Sequence, residues 1–355
     1  MLILNDIHLG ARRKGGTTPY SAEALRSYMF DKTRSLLDSY TGSLLILGDL
    51  FDDFDVDARD WIETYMLLSS WLQSSPANEL TLVAGNHDVS PRASKVSGFE
   101  MLWTVLQCEQ LHLVDIGQFR RVHPKAWAMA HAPNQDVFEA LLVEALGTVA
   151  AGETLLLHAN LDNGFATQSD HSLNVSAEVA KKFCEAGISL AFAHEHQARS
   201  YVAPGVDAGA PGGVNVLGHQ ICSSVADCLN NEDKWAWFID DAGSVAKHIK
   251  TWSVMDDAAP FARVDWRELD KAPDIGFIRV EGSATMLEAA EVVQAISKLR
   301  NKSHAFVITN AVKVDGMPEL DELPETFEAA KRFDVLAFIR SKLEPDEIVL
   351  LETLL

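Results

Sequence analysis

The chain has 355 residues, more than one compact core usually serves, so two or three domains are expected. Hydrophobic residues at 47% and charged residues at 23% are ordinary for a globular protein, and no apolar run approaches the length of a membrane span, which excludes a transmembrane helix. The formal net charge of −21 argues against a chain held to nucleic acid by a basic surface; any polyanionic substrate has to be held by metal ions or short basic loops.

The opening residues, MLILNDIHLG, lack a basic n-region and a long h-region, so a strand is expected there rather than a signal peptide. Cys108, Cys184, Cys222 and Cys228 contain no CxxC pair, which points to free thiols in a reducing cytoplasm. Amphipathic helical stretches around 21–40 and 56–74 alternate with the β-type runs LLIL (44–47) and LTLV (80–83), which end at GD and GN. TLLL (154–157) ends at His158 and SLAFA (189–193) at His194. This βαβ-like alternation puts polar residues just after strands, where ligands gather in open α/β sheets. A turn-rich loop carries Pro204, Gly205, Gly209, Pro211, Gly212 and Gly213, and the strand-like runs VNVLG and WAWFID follow.

MDDAAPFA, near 255–262, reads as a linker. IGFIRVE (275–281) reads as a strand, Ala289, Val292, Val293, Ile296 and Leu299 as one stripe of a helix, and AFVITNAVKV (305–314) as a further strand, together a small α/β module. Beyond GMPELDELPE the pattern is helical over 326–343. Pro345, followed by two acids, then starts a last helix that is apolar on more than one face. Part of that helix has to be buried, against the chain itself or against a partner.

The strand ends collect one kind of chemistry. Asp6 and His8 follow the first strand, Asp49 the second, and Asn86, His87 and Asp88 the third; His158, His194 and His196 follow later ones. Carboxylate, imidazole and amide oxygen together suit manganese, iron, cobalt or zinc. There are more donors than one ion needs, so two cations bridged by a carboxylate are expected. Two cations would also let Asp49 tolerate its acidic neighbours, with Asp52 and Asp53 in an outer shell or in solvent. Each fragment alone has a bland reading: a solvated loop for DxH, a turn for GDLFD, a hydrogen-bonded core histidine for His158. The ordered series DxH, GDxxD, GNHD, H and HxH, each at a strand end, is what carries the metal reading.

DIHLG (6–10), GDLFD (48–52), GNHD (85–88), LLHANLD (156–162) and AHEHQ (193–197) resemble, in order, the five metal motifs of the calcineurin-like metallophosphoesterase superfamily. DIHLG with GDLFD looks most like its SbcD-like nuclease branch, and LDNGFATQSDHSLNVS, HEHQ and SVADCL look like DNA exonucleases of small tailed phages. The resemblance implies a four-layer αββα sandwich of two mixed sheets flanked by helices over 1–255. It further implies a small α/β cap facing DNA over 256–318, and C-terminal helices over 319–355 as a docking element. It implies that Asp6, His8 and His196 hold one metal ion, that Asn86, His158 and His194 hold the other, and that Asp49 bridges them. His87 would protonate the leaving oxygen or stabilise the transition state, and Asp88 would orient His87. The family usually has Gly before HxH; Ala193 stands there, which calls for an ordinary backbone at that position.

The function implied is a metal-dependent DNA exonuclease, with endonuclease activity as an added option, of phage or bacterial DNA processing, in which water activated by two divalent ions, Mn(2+) before Mg(2+), Fe, Co or Zn, hydrolyses phosphodiester bonds. A phosphodiesterase or phosphatase acting on nucleotides, lipids or phosphoproteins is the alternative enzyme, favoured by the acidic charge. A nuclease subunit acting mainly with an SbcC-like SMC ATPase is the alternative of another class, and the resemblance also allows a homodimer. Arg12, Arg13 and Lys14 are candidates for phosphate contact or a solvated basic loop. His171 is a candidate for substrate contact or a structural hydrogen bond, and His219 for a substrate-facing turn. Arg120, Arg121, His123 and Lys125 read as a solvated strand edge or turn.

Overall fold

The computed structural model describes residues 1–11, 18–90, 95–163, 172–201, 212–229, 233–252 and 261–315. In chain order the first half contains β1 (Leu2–Leu4), α1 (Pro19–Asp38), β2 (Ser43–Leu47), α2 (Ala58–Ser74), β3 (Glu79–Val83), α3 (Gly98–Leu106), β4 (Leu111–Val114), β5 (Phe119–His123), β6 (Ala126–Met129) and α4 (Gln135–Thr148). There follow β7 (Thr154–His158), β8 (Asn160–Leu161), β9 (Asn174–Val175), α5 (Ala177–Glu185), β10 (Ser189–Ala193), β11 (Arg199–Tyr201), β12 (Val214–Val216), α6 (Val225–Leu229), β13 (Lys234–Ile239) and β14 (Val245–Trp252). The last described part holds β15 (Phe261–Asp265), β16 (Phe277–Glu281), β17 (Ser283–Ala284), α7 (Ala289–Lys302), β18 (Val307–Asn310) and β19 (Lys313–Val314).

Two six-stranded mixed sheets form the centre. One runs β14-β13-β1-β2-β3-β4, with β1 to β4 parallel and β13 and β14 antiparallel at one side. The other runs β11-β12-β10-β7-β6-β5, with four parallel strands inside and an antiparallel strand at each edge. Period-two alternation explains how they stack. Ala126, Ala128, Leu156, Ala191 and Ala193 of the second sheet join the core of the first, whereas Met129, Leu155, Leu157, Leu190 and Phe192 point the other way. Small alanines on the inner face let the two sheets approach closely. The outer face of the second sheet is covered by Phe138 and Leu142 of α4 and Phe183 of α5; Leu25 and Met29 of α1, Leu68 of α2 and Leu102 of α3 pack on the first. The result is the expected helix–sheet–sheet–helix layering.

The helices begin where side chains can satisfy their first N–H groups. Thr18 caps α1 in a reciprocal box with Ser21, with Pro19 at the first helical position, so α1 starts two residues before the periodicity suggests. Asp57 caps α2 by accepting from the Arg59 N–H.

Beyond residue 260, β15, β16 and β18 form a parallel three-stranded sheet with α7 against it, around Val264, Ile278, Val280, Val292, Ile296 and Ile308. The expected single strand over 305–314 is instead two. The Asn310 side chain accepts the Val312 N–H at 3.0 Å, an Asx-type turn that ends β18 and starts β19 on another pair. Tyr28 of α1 stacks on Phe306 at 4.9 Å between centroids, and Phe277 and Phe306 belong to the sandwich core. The expected helices over 319–355 lie outside the described residues, as does the Pro/Gly loop from 202 to 211. No helix among the described residues is long and apolar enough to cross a membrane.

Candidate metal centre

The parallel strands deliver their carboxyl ends to one place. In register, Leu47 of β2 lies beside Val83 of β3, and His158 of β7 lies beside Ala193 of β10. The sheets meet at Gly48, whose φ is +78°: a Cβ there would lie well inside 3.0 Å of the His158 ring. Gly85 is equally constrained, because a Cβ would overlap the Asp49 carboxylate and backbone N. The GD and GN dipeptides are therefore steric requirements of the loops as much as turn signals.

Five non-glycine residues take positive φ among those described, and four are expected metal ligands: Asp6 (49°), His8 (51°), Asp49 (50°) and His194 (78°). Such conformations persist only where the surroundings over-determine them, and they gather at functional sites. Ala193 is an ordinary strand residue, as its Cβ requires, and the positive φ falls on His194 instead.

The expected ligands assemble in two groups. Donor atoms of Asp6, His8 and His196 lie within 4.8 Å of one another, and so do those of Asp49, His158 and His194. Asp49 sits between them, with Oδ2 at 3.9 Å from His8 Nε2 and 3.3 Å from His158 Nε2. Asn86 Oδ1 is 2.9 Å from His158 Nε2 and 3.0 Å from His194 Nδ1. His158 Nδ1 lies 3.1 Å from the Leu47 carbonyl, which can only accept, so Nε2 is the nitrogen turned to the site. Asp6 is divided in the same way: Oδ2 accepts from Asn5 Nδ2 at 2.6 Å and from the His194 N–H at 2.9 Å, and Oδ1 faces the site.

These residues fit a pair of cations. Asp6 Oδ1 and His8 Nε2 are buried and have no hydrogen-bond partner among the described residues. Each such buried group costs about 1–3 kcal/mol, a cost that coordination removes. Burial pushes the pKa values of His8 and His194 down to about 4, so both rings are neutral at pH 7, the state a ligand needs. Burial would raise Asp49, but the neighbouring His158 and His8 hold it well below the usual carboxylate range. Burial opposes protonation of His158 as well, and the Asp49 carboxylate beside it prevails, raising His158 to about 9.

His87 lies at the edge of this cluster. Its N–H donates to Asp49 Oδ1 at 3.0 Å, and its ring meets that of His8 edge-on at 5.1 Å. Nδ1 donates to the Asp52 carbonyl at 2.6 Å, which fixes the ring. Asp88 takes a different place from the one expected. Its carboxylate accepts the N–H groups of Gly85 at 3.0 Å, Phe51 at 3.3 Å and Leu50 at 3.4 Å, so it ties the loops after β2 and β3 together, and the Asp52 main chain orients His87. Burial and the Asp49 carboxylate push Asp88 up to about 7. Asp52 belongs to the outer shell, with Oδ1 3.4 Å from His8 Nδ1, and Asp53 is exposed.

His219 also differs from expectation. Its side chain is fully buried behind His196, so it faces the protein and cannot meet a substrate there. Arg12, Arg13, Lys14 and His171 lie outside the described residues. Arg121 sits on edge strand β5, paired with Glu153 at 2.9 Å and stacked over Trp127. Sequence reasoning missed the Asn5–Gln220 pair, in which Gln220 Oε1 accepts the Asn5 N–H at 2.7 Å and Gln220 Nε2 donates to Asn5 Oδ1 at 2.8 Å. It missed Glu195, which accepts the Leu161 N–H at 2.7 Å and steadies the HEH loop, and it missed Asp227. Glu195 lies within HEH and Asp227 within SVADCL, so both stood in recognised stretches without a role of their own.

A family model described as calcineurin-like phosphoesterase matches residues 1–202. No curated protein matches the sequence. Among solved structures, purple acid phosphatase PPD1 from yellow lupin seeds is 11% identical with a TM-score of 0.33, the match covering 56% of this chain and 38% of that one. The nuclease MPE of Pseudomonas putida is 19% identical with a TM-score of 0.23, covering 46% of this chain and 63% of that one. The chain thus spans less than two thirds of the length of either.

Proposed function

The chain belongs to the calcineurin-like phosphoesterase family, and from that premise we propose that it is a metal-dependent DNA nuclease. Family membership makes it a hydrolase of phosphoesters, and the nuclease reading narrows the substrate. The residues that would hold two divalent ions, manganese first, are Asp6, His8 and His196 on one side and Asn86, His158 and His194 on the other, with Asp49 common to both. When bound, such ions supply positive charge against the phosphoryl oxygens and lower the pKa of water. His87 is the residue that would give a proton to the leaving oxygen, its ring held through Nδ1 by the Asp52 carbonyl. Asp88 keeps the two loops that carry Asp49 and His87 in register.

One observation supports a polymer over a small phosphoester. The α/β module beyond residue 260 packs on α1 and, through β16 and β18, on α6, and α6 carries Asp227 against the ligand His196. A folded module attached beside the metal site is surface that a small phosphoester does not need. The acidic net charge favours the small-substrate alternative. The test is to incubate purified protein and manganese with end-labelled linear DNA, closed circular DNA and a chromogenic phosphodiester. Shortening of the linear DNA supports the nuclease; rapid turnover of the small diester with both DNAs intact replaces it with the small-substrate reading.

A further inference from the structure

Asp227 is not among the ligands, yet it is 5% exposed and aims its carboxylate at two histidines. Oδ1 lies 3.2 Å from His196 Nδ1. Oδ2 accepts the Ser223 N–H at 2.9 Å and the Ser223 hydroxyl at 3.2 Å, and His219 Nε2 stands 3.2 Å away. The His196 backbone is held as firmly. Its carbonyl accepts from His219 Nδ1 at 3.0 Å and from Lys234 Nζ at 3.3 Å, and the His219 ring packs 4.4 Å from the His196 ring. His219 and Lys234 are both buried.

Burying a carboxylate with this many partners contributes little to stability compared with an apolar filling of the same volume, so the arrangement calls for another reason. The His196 ring supplies one. An imidazole that donates from Nδ1 to a carboxylate has its tautomer and rotation fixed, and its Nε2 becomes a better donor to a cation. One ring nitrogen of His196 lies within 4.8 Å of donor atoms of Asp6 and His8, and with Nδ1 on Asp227 it is Nε2 that would join them at a cation. We propose that Asp227, anchored by Ser223, is the positioning residue that sets His196 for the first metal ion. This rests on the reading that Asp6, His8 and His196 hold a cation.

The test is manganese titration by calorimetry, with the electron paramagnetic resonance of the coupled ion pair recorded alongside. Wild type, His196→Ala, Asp227→Asn and Asp227→Ala are compared; His196→Ala identifies which equivalent is the first ion. In Asp227→Ala the first ion is expected to bind about 10–100-fold more weakly while the second keeps its affinity, and the paired-ion signal fades at limiting manganese. Asp227→Asn preserves shape and one acceptor and should fall between; being isosteric, it decides the matter if the alanine variant does not fold. Unchanged affinity for both ions in Asp227→Asn and Asp227→Ala overturns the proposal. So does a third equivalent in wild type that disappears with Asp227, because the cluster would then be a ligand set of its own. Failure of wild type to bind manganese overturns the underlying metal reading instead.

Discussion

Gly48→Ala tests whether the two sheets really meet at the metal site. Gly48 sits at φ +78°, and a methyl group there would overlap three atoms of the His158 ring, the farthest of them, Cε1, at 2.7 Å. Ordinary contacts lie near 3.5–4.0 Å and Nδ1 would stand at 2.1 Å, so the ring has to move by about 1.5 Å. A left-handed backbone costs an alanine about 1–2 kcal/mol, and forcing a methyl group into a packed interior about 1–3 kcal/mol. The sum, about 2–5 kcal/mol, corresponds to a fall in Tm of about 5–20 °C for a domain of this size. The displacement also pulls His158 Nδ1 from the Leu47 carbonyl and Nε2 from Asp49 and Asn86, so manganese binding should weaken along with stability. Melting of the metal-free proteins and calorimetric titration read the two effects separately. A variant that melts within about 2 °C of wild type and binds manganese as tightly would refute the packing argument.

His87→Ala should retain both ions and lose about 10²–10⁴-fold in kcat, as removal of a general acid does; a wild-type rate on DNA removes His87 from the chemistry. Manganese binding should release a proton near pH 7. His158, raised to about 9 by Asp49 against its burial, is protonated in the metal-free protein and must become neutral to coordinate, whereas His8 and His194, at about 4, are already neutral. Apparent affinity should therefore rise as pH rises toward 9, and calorimetry in buffers of different ionisation enthalpy should count about one proton; zero protons at pH 7 contradicts the assignment. Replacing Arg12, Arg13 and Lys14 by Ala should flatten the salt dependence of DNA cleavage if they contact phosphates, and an unchanged slope makes them a solvated loop.

Most of the site could be read before any coordinates because strand ends announce themselves. An apolar run followed by GD or GN is local information, and the steric demands at Gly48 and Gly85 explain why those dipeptides take that form. The candidate ligands in DxH, GNHD and HxH follow from where parallel strands end. The supporting residues stayed hidden because their contacts are long-range. Asn5 and Gln220 are 215 positions apart, and Asp227 meets His196 across 31. Asp88 was legible as a motif residue but not in its role, since its partners are backbone N–H groups that carry no side-chain signature. Residues 120–125 were read only as a solvated strand edge or turn, and β6 and the edge strand β14 were missed, because half-exposed edge strands mix polar and apolar residues without clean alternation. The division of 305–314 turned on one Asn side chain bonding its own main chain.

Asp49 is proposed to join two cation sites into one centre. Metal content per chain, measured by elemental analysis after saturation with manganese and removal of excess, tests it most directly in wild type and Asp49→Ala. Two ions are expected in wild type and neither in the variant, whose circular dichroism should remain that of a folded protein. A single ion in wild type, or two ions retained after Asp49 is removed, contradicts it.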